Sequence, residues 1–157
     1  MKRFVVFGVI MFLLVSGSAW AADAVSISKY YFQDLGLKVV KIDWTDSPNA
    51  ALSATDSDID KFMRGWSVYK AETAPGTAAA QPDDDYDVVL NQTAFGVTID
   101  IMGGELQNRD ETTHERAFPL VDASYAPVQI VSGLTLVVTG QTNAAGTGTV
   151  VLYLYEY

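Results

Sequence analysis

Apolar residues recur at every second position along most of the chain, and this period of two is the feature that most constrains its fold. In "LKVVKIDWT", Val40, Ile42 and Trp44 fall on one side of an extended chain, whereas Lys41 and Asp43 fall on the other. Such alternation is typical of an antiparallel strand with one buried face. No window longer than about ten residues has the spacing of an amphipathic helix. The sequence therefore predicts an all-β domain.

Further strands are predicted at spacings of roughly 8–14 residues, separated by glycine-rich turns. The segment "FMRGWSVYKAET" predicts one strand with Gly65 in its middle, and "NQTAFG" predicts the connection of a hairpin. Two strands are predicted around Ser132-Gly133. The last segment, "TVVLYLYEY", is apolar on both faces, which is typical of a central strand or of one covered by a partner subunit. Together, about seven to nine short strands predict an antiparallel β-sandwich of jelly-roll or immunoglobulin-like type.

Residues 1–21 have the pattern of a secretory signal peptide. Two basic residues precede an apolar run from Phe4 to Val15, and Ala19-Trp20-Ala21 matches the small-x-small cleavage site. The apolar run has about 12 residues, whereas a helix needs about 20 to cross a bilayer. The sequence therefore predicts cleavage before Ala22 and a single domain over residues 22–157. Export to the periplasm, the cell surface or the medium is expected, with no membrane attachment after cleavage.

Composition limits the classes of partner. The chain carries 10 basic and 19 acidic residues, a net charge of −9. Loss of Lys2 and Arg3 with the signal peptide would leave 8 basic residues against the 19 acidic ones, a net charge of −11. Because nucleic-acid binding relies on clustered Lys and Arg, no nucleic-acid partner is expected. The chain has no cysteine, which excludes disulfides and thiolate metal sites.

The acidic stretch "QPDDDYDVVL" has two interpretations. The carboxylates of Asp83, Asp85 and Asp87 could bind Ca²⁺, an ion that takes several oxygen ligands. Consecutive residues of an extended chain point to opposite sides, however, so few of these carboxylates would converge. The pattern favours a solvated entrance to the hairpin. We therefore expect no metal and no other cofactor.

The sequence nominates no catalytic residue. His114 is the only histidine, and one nitrogen ligand is too few for a zinc site in a chain without cysteine. No G-x-S-x-G motif marks a nucleophile. A carboxylate pair for glycoside hydrolysis stays open, although no feature requires one. We therefore expect a non-enzymatic protein in which His114 is an exposed loop residue and Arg109 pairs with Asp110 or Glu111.

Aromatic residues are concentrated near both ends of the mature domain, in "KYYF" and "YLYEY". Exposed aromatic rings bind sugars by stacking or become buried in protein interfaces. Chain ends this rich in aromatic residues are expected to be covered by another subunit. The interface candidates are Tyr31, Phe32, Tyr153, Tyr155 and Tyr157. Trp44 and Trp66 are expected in the core of the sandwich.

Four longer segments carry a family signal: "VVKIDWT", "APGTAAAQPDDDYDVVL", "GVTIDIMGGELQNRDETTHE" and "SGLTLVVTGQTNAAGTGTVVLYLYEY". Over residues 37–157 their strand and turn patterns resemble a loose group of small virion-associated structural proteins of tailed bacteriophages and prophages. The common features are a "DWT"-like corner, a "YD" strand after a proline-glycine loop, a "GG" segment before an "NR" loop, and a "GTVVLYL" end. The resemblance implies a β-sandwich that belongs to a virion and has no catalytic residue.

Two functions therefore remain open. The resemblance implies a non-enzymatic structural or assembly protein of phage or prophage type, which forms a homo-oligomer or decorates a larger protein assembly. The signal peptide favours an exported surface or periplasmic module that binds a glycan or a protein partner.

The signal peptide leads to the first prediction. Protein expressed from the full gene should yield a chain that starts at Ala22 and lies outside the cytoplasm, because the segment before it has a basic start, an apolar run and a cleavage site. Intact-mass measurement on cytoplasmic, membrane, periplasmic and medium fractions checks this. An uncut chain in large particles would contradict it and favour virion assembly.

Overall fold

The computed structural model describes residues 24–46, 52–55, 57–77, 80–131, 133–141 and 146–156. Most of these residues lie in strands: β1 Ala24–Phe32, β2 Leu37–Asp46, β3 Leu52–Thr55, β4 Ser67–Pro75, β5 Asp87–Ala94, β6 Val97–Asp100, β7 Glu115–Ala117, β8 Leu120–Val121, β9 Ser124–Tyr125, β10 Val128–Gln129, β11 Leu134–Thr139 and β12 Gly146–Tyr155. One helix, α1, spans Ser57–Met63, and a 3-10 turn at Gln33–Leu35 joins β1 to β2. The all-β prediction is confirmed. The predicted signal peptide and Tyr157 lie outside the described residues.

Two antiparallel sheets form the sandwich. Sheet A has the order β1-β2-β12-β4-β10, and β7 pairs with the same edge of β4 as β10. Sheet B has the order β3-β11-β5-β6, and β8 and β9 form a separate two-stranded ribbon. The last strand, β12, lies between β2 and β4 and pairs with both. Of the two interpretations of this segment, the structure shows the central strand.

The described residues contain more strands than the seven to nine expected, because the chain between Glu115 and Gln129 is divided into four short strands. Pro119 and Pro127 lie between these strands, and proline cannot donate a backbone hydrogen bond to a neighbouring strand. Between β8 and β9, Asp122 and Ala123 adopt positive φ angles of 47° and 62°, which turn the chain back on itself.

The hydrophobic core lies between the two sheets. Sheet A contributes Val40, Ile42, Trp44, Val68, Val150, Leu152 and Leu154, and sheet B contributes Val88, Leu90, Leu134, Leu136 and Val138. The predictions that Val40, Ile42 and Trp44 share a buried face, and that Trp66 is buried, are confirmed. Tyr86 packs on Trp44 with ring centroids 5.6 Å apart, and burial raises the pKa of its hydroxyl to about 12.

The strand predicted over "FMRGWSVYKAET" is wrong in its first half. Helix α1 ends at Met63, Gly65 lies in a turn with φ 82°, and β4 begins only at Ser67. The helix buries Ile59 and Met63, which are four residues apart and so lie on one helical face. Because this helical spacing extends over only seven residues, it could not be separated from strand alternation by pattern alone.

A β-bulge in β4 changes which side chains reach the outer face of sheet A. Tyr153 pairs with Lys70, but the next residue, Leu154, pairs with Val68, so Tyr69 is an extra residue in β4. Val68 and Ala71 are fully buried, whereas Tyr69 is exposed. The bulge therefore places Tyr69 and Lys70 on the outer face together, which simple alternation would not do.

The hairpin predicted at "NQTAFG" is confirmed, with a tighter turn than expected. Ala94 pairs with Val97, so Phe95 and Gly96 alone form the turn between β5 and β6. Both turn residues have positive φ, 53° for Phe95 and 78° for Gly96. Positive φ at both central residues characterises the type I′ turn, whose twist matches that of the paired strands.

The central position of β12 leads to the second prediction. Leu152→Ala should lower the free energy of unfolding by about 2–5 kcal/mol, because it leaves a cavity at a fully buried site. Val151→Ala, at the neighbouring outward-facing position, should cost much less. Urea unfolding followed by tryptophan fluorescence measures both variants. Equal losses would show that Leu152 does not face the core.

Candidate functional site

The outer face of sheet A carries two neighbouring rows of aromatic and aliphatic side chains. Directly opposite residues of paired strands lie on the same face, and here they form the rows Phe32, Leu37, Tyr155 and Tyr30, Val39, Tyr153. Three of these rings are well exposed: Tyr30 by 48%, Phe32 by 47% and Tyr155 by 38%. Because each of these rings keeps more than a third of its surface exposed, no other part of the described chain buries them.

The aromatic surface continues across β4 to the segment that follows β7. Tyr69 lies 5.6 Å from Tyr155 and 5.7 Å from Phe118, measured between ring centroids, and Phe118 lies 6.3 Å from Tyr125. Each ring packs with its edge toward the next, a favourable arrangement for aromatic pairs. We call this surface the aromatic face, and it consists of Tyr30, Phe32, Tyr69, Phe118, Tyr125, Tyr153 and Tyr155.

A groove of about 300 Å³ lies at one end of the aromatic face and shares three of its rings. It is lined by Tyr69, Phe118, Pro119, Tyr125, Ala126 and Pro127. Tyr125 is 66% exposed and donates a hydrogen bond of 3.3 Å from its hydroxyl to Oε2 of Glu105. None of the lining residues is charged, so this apolar groove is called the Tyr–Pro groove below.

Next to the aromatic rows, several polar side chains surround the carboxylate of Glu72. Its Oε1 accepts a hydrogen bond of 2.7 Å from Lys70, and its Oε2 accepts one of 3.0 Å from the hydroxyl of Tyr153. Nε of Arg116 lies 3.4 Å from Oε1, and Nε2 of His114 lies 3.7 Å from Oε2. The hydrogen bond from Lys70 is the main cause that holds the pKa of Glu72 below its ordinary value, and it outweighs the opposite effect of burial.

Tyr153 links the polar cluster to the aromatic face. The Lys70 ammonium lies 3.9 Å from the centroid of the Tyr153 ring, within the range of a cation–π interaction. Burial and, after it, the hydrogen bond to Glu72 raise the pKa of the Tyr153 hydroxyl. Tyr153 is therefore held in place by its own chain, and Tyr155, which is 38% exposed, packs against the Tyr69 ring.

The predicted interface residues are only partly brought together. Phe32, Tyr153 and Tyr155 share the aromatic face, as their register requires. Tyr31 lies on the opposite face, because it pairs with Lys38, which in turn pairs with the buried Leu154. Tyr157 lies outside the described residues.

Tyr31 belongs to a separate cluster around Lys38. The Lys38 ammonium lies 4.2 Å from the Trp66 ring centroid, 4.5 Å from Phe62 and 5.8 Å from Tyr31, and it donates a hydrogen bond of 2.5 Å to the carbonyl of Phe62. Burial lowers the pKa of Lys38, and the charge of Glu156 opposes this shift. Because Lys38 belongs to β2 and Phe62 to α1, this cluster connects these two elements.

The acidic stretch is the entrance to the hairpin, as the sequence favours. The backbone amide of Asp83 donates a hydrogen bond of 3.2 Å to Oε1 of Gln141. Asp85 lies in a turn, where it adopts a positive φ of 62°. Oδ1 of Asp87 accepts a hydrogen bond of 2.9 Å from the amide of Asn108. In the described part of the chain, no group of three or more His, Cys, Asp or Glu side chains is placed to hold a metal ion.

The polar loop after β6 differs in one respect from expectation. The predicted pairing of Arg109 with Asp110 or Glu111 is wrong, because Nε of Arg109 lies 3.5 Å from Oε2 of Glu115. Asp110 instead accepts hydrogen bonds from the amides of Thr112 and Thr113, which stabilises the loop locally. His114 is exposed, as predicted.

Several residues of the aromatic face were missed by sequence reasoning. The alternation of Val25 and Ile27 in "AVSISKYYF" predicts a strand like the others and could have placed Tyr30 beside Phe32 on one face. Tyr69 could not have been found this way, because the bulge reverses the alternation that would place it. Phe118 and Tyr125 reach the face through short strands that have no clear periodicity of their own.

Comparison of the chain with protein-family models, with curated proteins and with solved structures found no match. Among the described residues, no helix combines the length and the apolar character that a membrane span needs.

The Glu72 cluster leads to the third prediction. Glu72→Gln should lower the free energy of unfolding near neutral pH by about 1 kcal/mol, because it weakens the charge-assisted hydrogen bond from Lys70. The folded pKa of Glu72 lies below its ordinary value of 4.5, so the stabilisation is present above that value and is lost as the pH falls through the folded pKa. Urea unfolding at several pH values measures this.

The control variant is Asp84→Asn, which removes a negative charge from an exposed residue and should change stability by less than about 0.5 kcal/mol. The difference between wild type and Glu72→Gln should stay constant near neutrality and shrink on acidification below the ordinary carboxyl range. A difference that is independent of pH would show that the charge of Glu72 does not stabilise the fold.

Proposed function

We propose that this protein is a non-enzymatic structural protein that self-associates through the aromatic face. The observation that carries the proposal is the exposure of Tyr30, Phe32, Tyr69, Tyr125 and Tyr155 on one side of the structure. Monomeric proteins seldom expose large contiguous apolar patches, and interface cores are enriched in aromatic residues. Covering this surface would remove apolar area from water at roughly 25 cal/mol per Å².

The orientation of the rings favours a protein partner over a glycan. Tyr69 is inclined at 85° to Tyr155 and at 79° to Phe118, and Phe118 is inclined at 65° to Tyr125. A flat sugar chain would stack best on rings whose faces lie in one plane. Steeply inclined rings instead offer edges and clefts, which suit the interdigitating side chains of a protein interface.

The distribution of charge is also compatible with self-association. The rings of the aromatic face are neutral, although the chain has a net charge of −9. Lys70 and Arg116, which belong to the basic minority of the chain, lie beside the face in the Glu72 cluster. Two acidic copies can therefore approach at this surface with less repulsion than elsewhere.

Two carboxylates at the surface, those of Glu72 and Asp100, have structural partners, which supports a non-enzymatic role. Both oxygens of Glu72 accept hydrogen bonds from its own chain. Asp100 borders a groove of about 480 Å³, and its two oxygens accept hydrogen bonds from the amides of Met102 and Gly104 at 3.0 and 2.7 Å. Asp100 thus stabilises the turn that follows β6.

The proposal agrees with the resemblance to virion-associated proteins of phages and prophages, in which a self-associating sandwich would form or decorate a particle. The predicted signal peptide supports a second candidate, an exported module that uses the same face to bind a protein or a glycan. The exposed side chains of His114 and Arg116 beside the rings are hydrogen-bonding groups of the kind that a glycan would need.

The aromatic face leads to the fourth prediction. Wild-type protein should form oligomers in sedimentation velocity experiments over a range of concentrations. The double variant Tyr69→Ser, Tyr155→Ser should raise the dissociation constant at least about tenfold, because an interface that loses about 1.4 kcal/mol weakens by that factor. Circular dichroism checks that the variant remains folded.

Val131→Ser is the matched control, since Val131 is similarly exposed but lies outside the aromatic face. It should leave the dissociation constant unchanged. A wild-type protein that stays monomeric at high concentration would overturn the proposal, and glycan binding by that monomer would favour the second candidate.

A further inference from the structure

Phe95 is a large apolar side chain that the fold leaves fully exposed. It occupies the first position of the turn between β5 and β6, where its φ is 53°. This turn type favours Asn, Asp and Gly at that position, and a left-handed backbone costs a bulky residue roughly 1–2 kcal/mol. Neither backbone preference nor packing within its own chain accounts for a phenylalanine at this site.

The surface around Phe95 is also apolar. Val97 is 61% exposed and Ile99 is 47% exposed on β6, the edge strand of sheet B. Exposed edge strands are usually protected by charged side chains, yet residues 88–99 contain none. Phe95 and Val97 therefore form an uncharged projection, called the Phe95 knob below.

The Tyr–Pro groove has the chemistry to receive a phenyl ring. It has a volume of about 300 Å³, and its walls are the rings of Tyr69, Phe118 and Tyr125 together with Pro119 and Pro127. Aromatic edges pack well on an inserted ring, and the prolines present no backbone N–H group that insertion would leave unsatisfied. The groove thus offers an apolar site of suitable volume on the same chain that carries the knob.

We propose that the Phe95 knob of one copy inserts into the Tyr–Pro groove of a second copy. This inference rests on the proposed function and names the surfaces that meet. The knob belongs to sheet B and the groove borders sheet A, so the contact joins two different surfaces. Each copy then offers one knob and one groove, and repetition of such a contact produces a ring or a filament.

Charge favours a second copy over a lipid surface as the occupant. Residues 88–108, which contain the hairpin and the turn after it, include no Lys and no Arg, but include Asp100 and Glu105. Peripheral attachment to anionic lipids relies on basic residues near the inserted apolar side chains. Knob and groove are both uncharged, so two acidic copies can meet there.

The fifth prediction tests the knob with Phe95→Asn. Asn adopts positive φ more readily than Phe, so the melting temperature should stay unchanged or rise. The dissociation constant from sedimentation velocity should nevertheless increase at least about tenfold, because the inserted ring is lost. Leu35→Asn is the control, since Leu35 is exposed in the turn between β1 and β2, at the opposite edge of sheet A from the groove. It should leave assembly unchanged.

A mixing experiment identifies the partner surface. Phe95→Asn keeps the groove and lacks the knob, whereas Ala126→Arg keeps the knob and places a long charged side chain at the groove. At a concentration just above the dissociation constant of the wild type, each variant alone should be mainly monomeric. An equimolar mixture should form a 1:1 heterodimer and nothing larger, because only one knob and one groove remain intact.

The outcomes separate this inference from the proposed function. If wild type and Phe95→Asn assemble equally well, or if the mixed variants do not pair, the knob-in-groove contact is wrong while assembly through the aromatic face stands. Flotation with phosphatidylcholine vesicles that depends on Phe95, with unchanged oligomers, would also overturn the contact in favour of a lipid. A wild type that is always monomeric would overturn both proposals.

Discussion

The pairing of β12 with β2 and β4 is the constraint on which the rest of the structure depends. Its inward residues, Val150, Leu152 and Leu154, are fully buried and form the centre of the core. Its outward residues, Tyr153 and Tyr155, lie on the aromatic face. Because the period of a strand is two, a slip of one residue would exchange the buried leucines with the tyrosines. One register therefore determines both the core and the candidate interface.

The outer face of sheet A is divided into an internally satisfied part and an uncovered part. Glu72 accepts hydrogen bonds from Lys70 and Tyr153, so the polar part is satisfied by its own chain. Beside it, Tyr30, Phe32 and Tyr155 remain partly exposed to water, which is unfavourable for the apolar area of their rings. Glu72 and Lys70 hold Tyr153 in place, whereas Tyr155 remains exposed on the proposed interface.

Two residues of the proposed contact surfaces, Tyr69 and Phe95, depart from the usual preferences of strands and turns. A bulge moves Tyr69 to the outer face, and a bulky Phe95 occupies a turn position suited to a small residue. Both departures leave a large ring exposed to water, and such departures are expected at functional sites. Self-association would account for both, since the exposed rings would become buried in the contact between copies.

The sequence by itself determined the β class, the buried face of β2 and the hairpin, because these follow from a local period of two. It left open which face of β12 is buried, because both faces of that segment are apolar. It did not determine the short helix α1, whose spacing extends over too few residues. Only the tertiary structure decided which residues form the site. Tyr69 meets Phe118, and Glu72 meets Tyr153 across 81 positions, through strand pairing. Such long-range pairing leaves no periodic trace near either residue, so no local pattern could have revealed it.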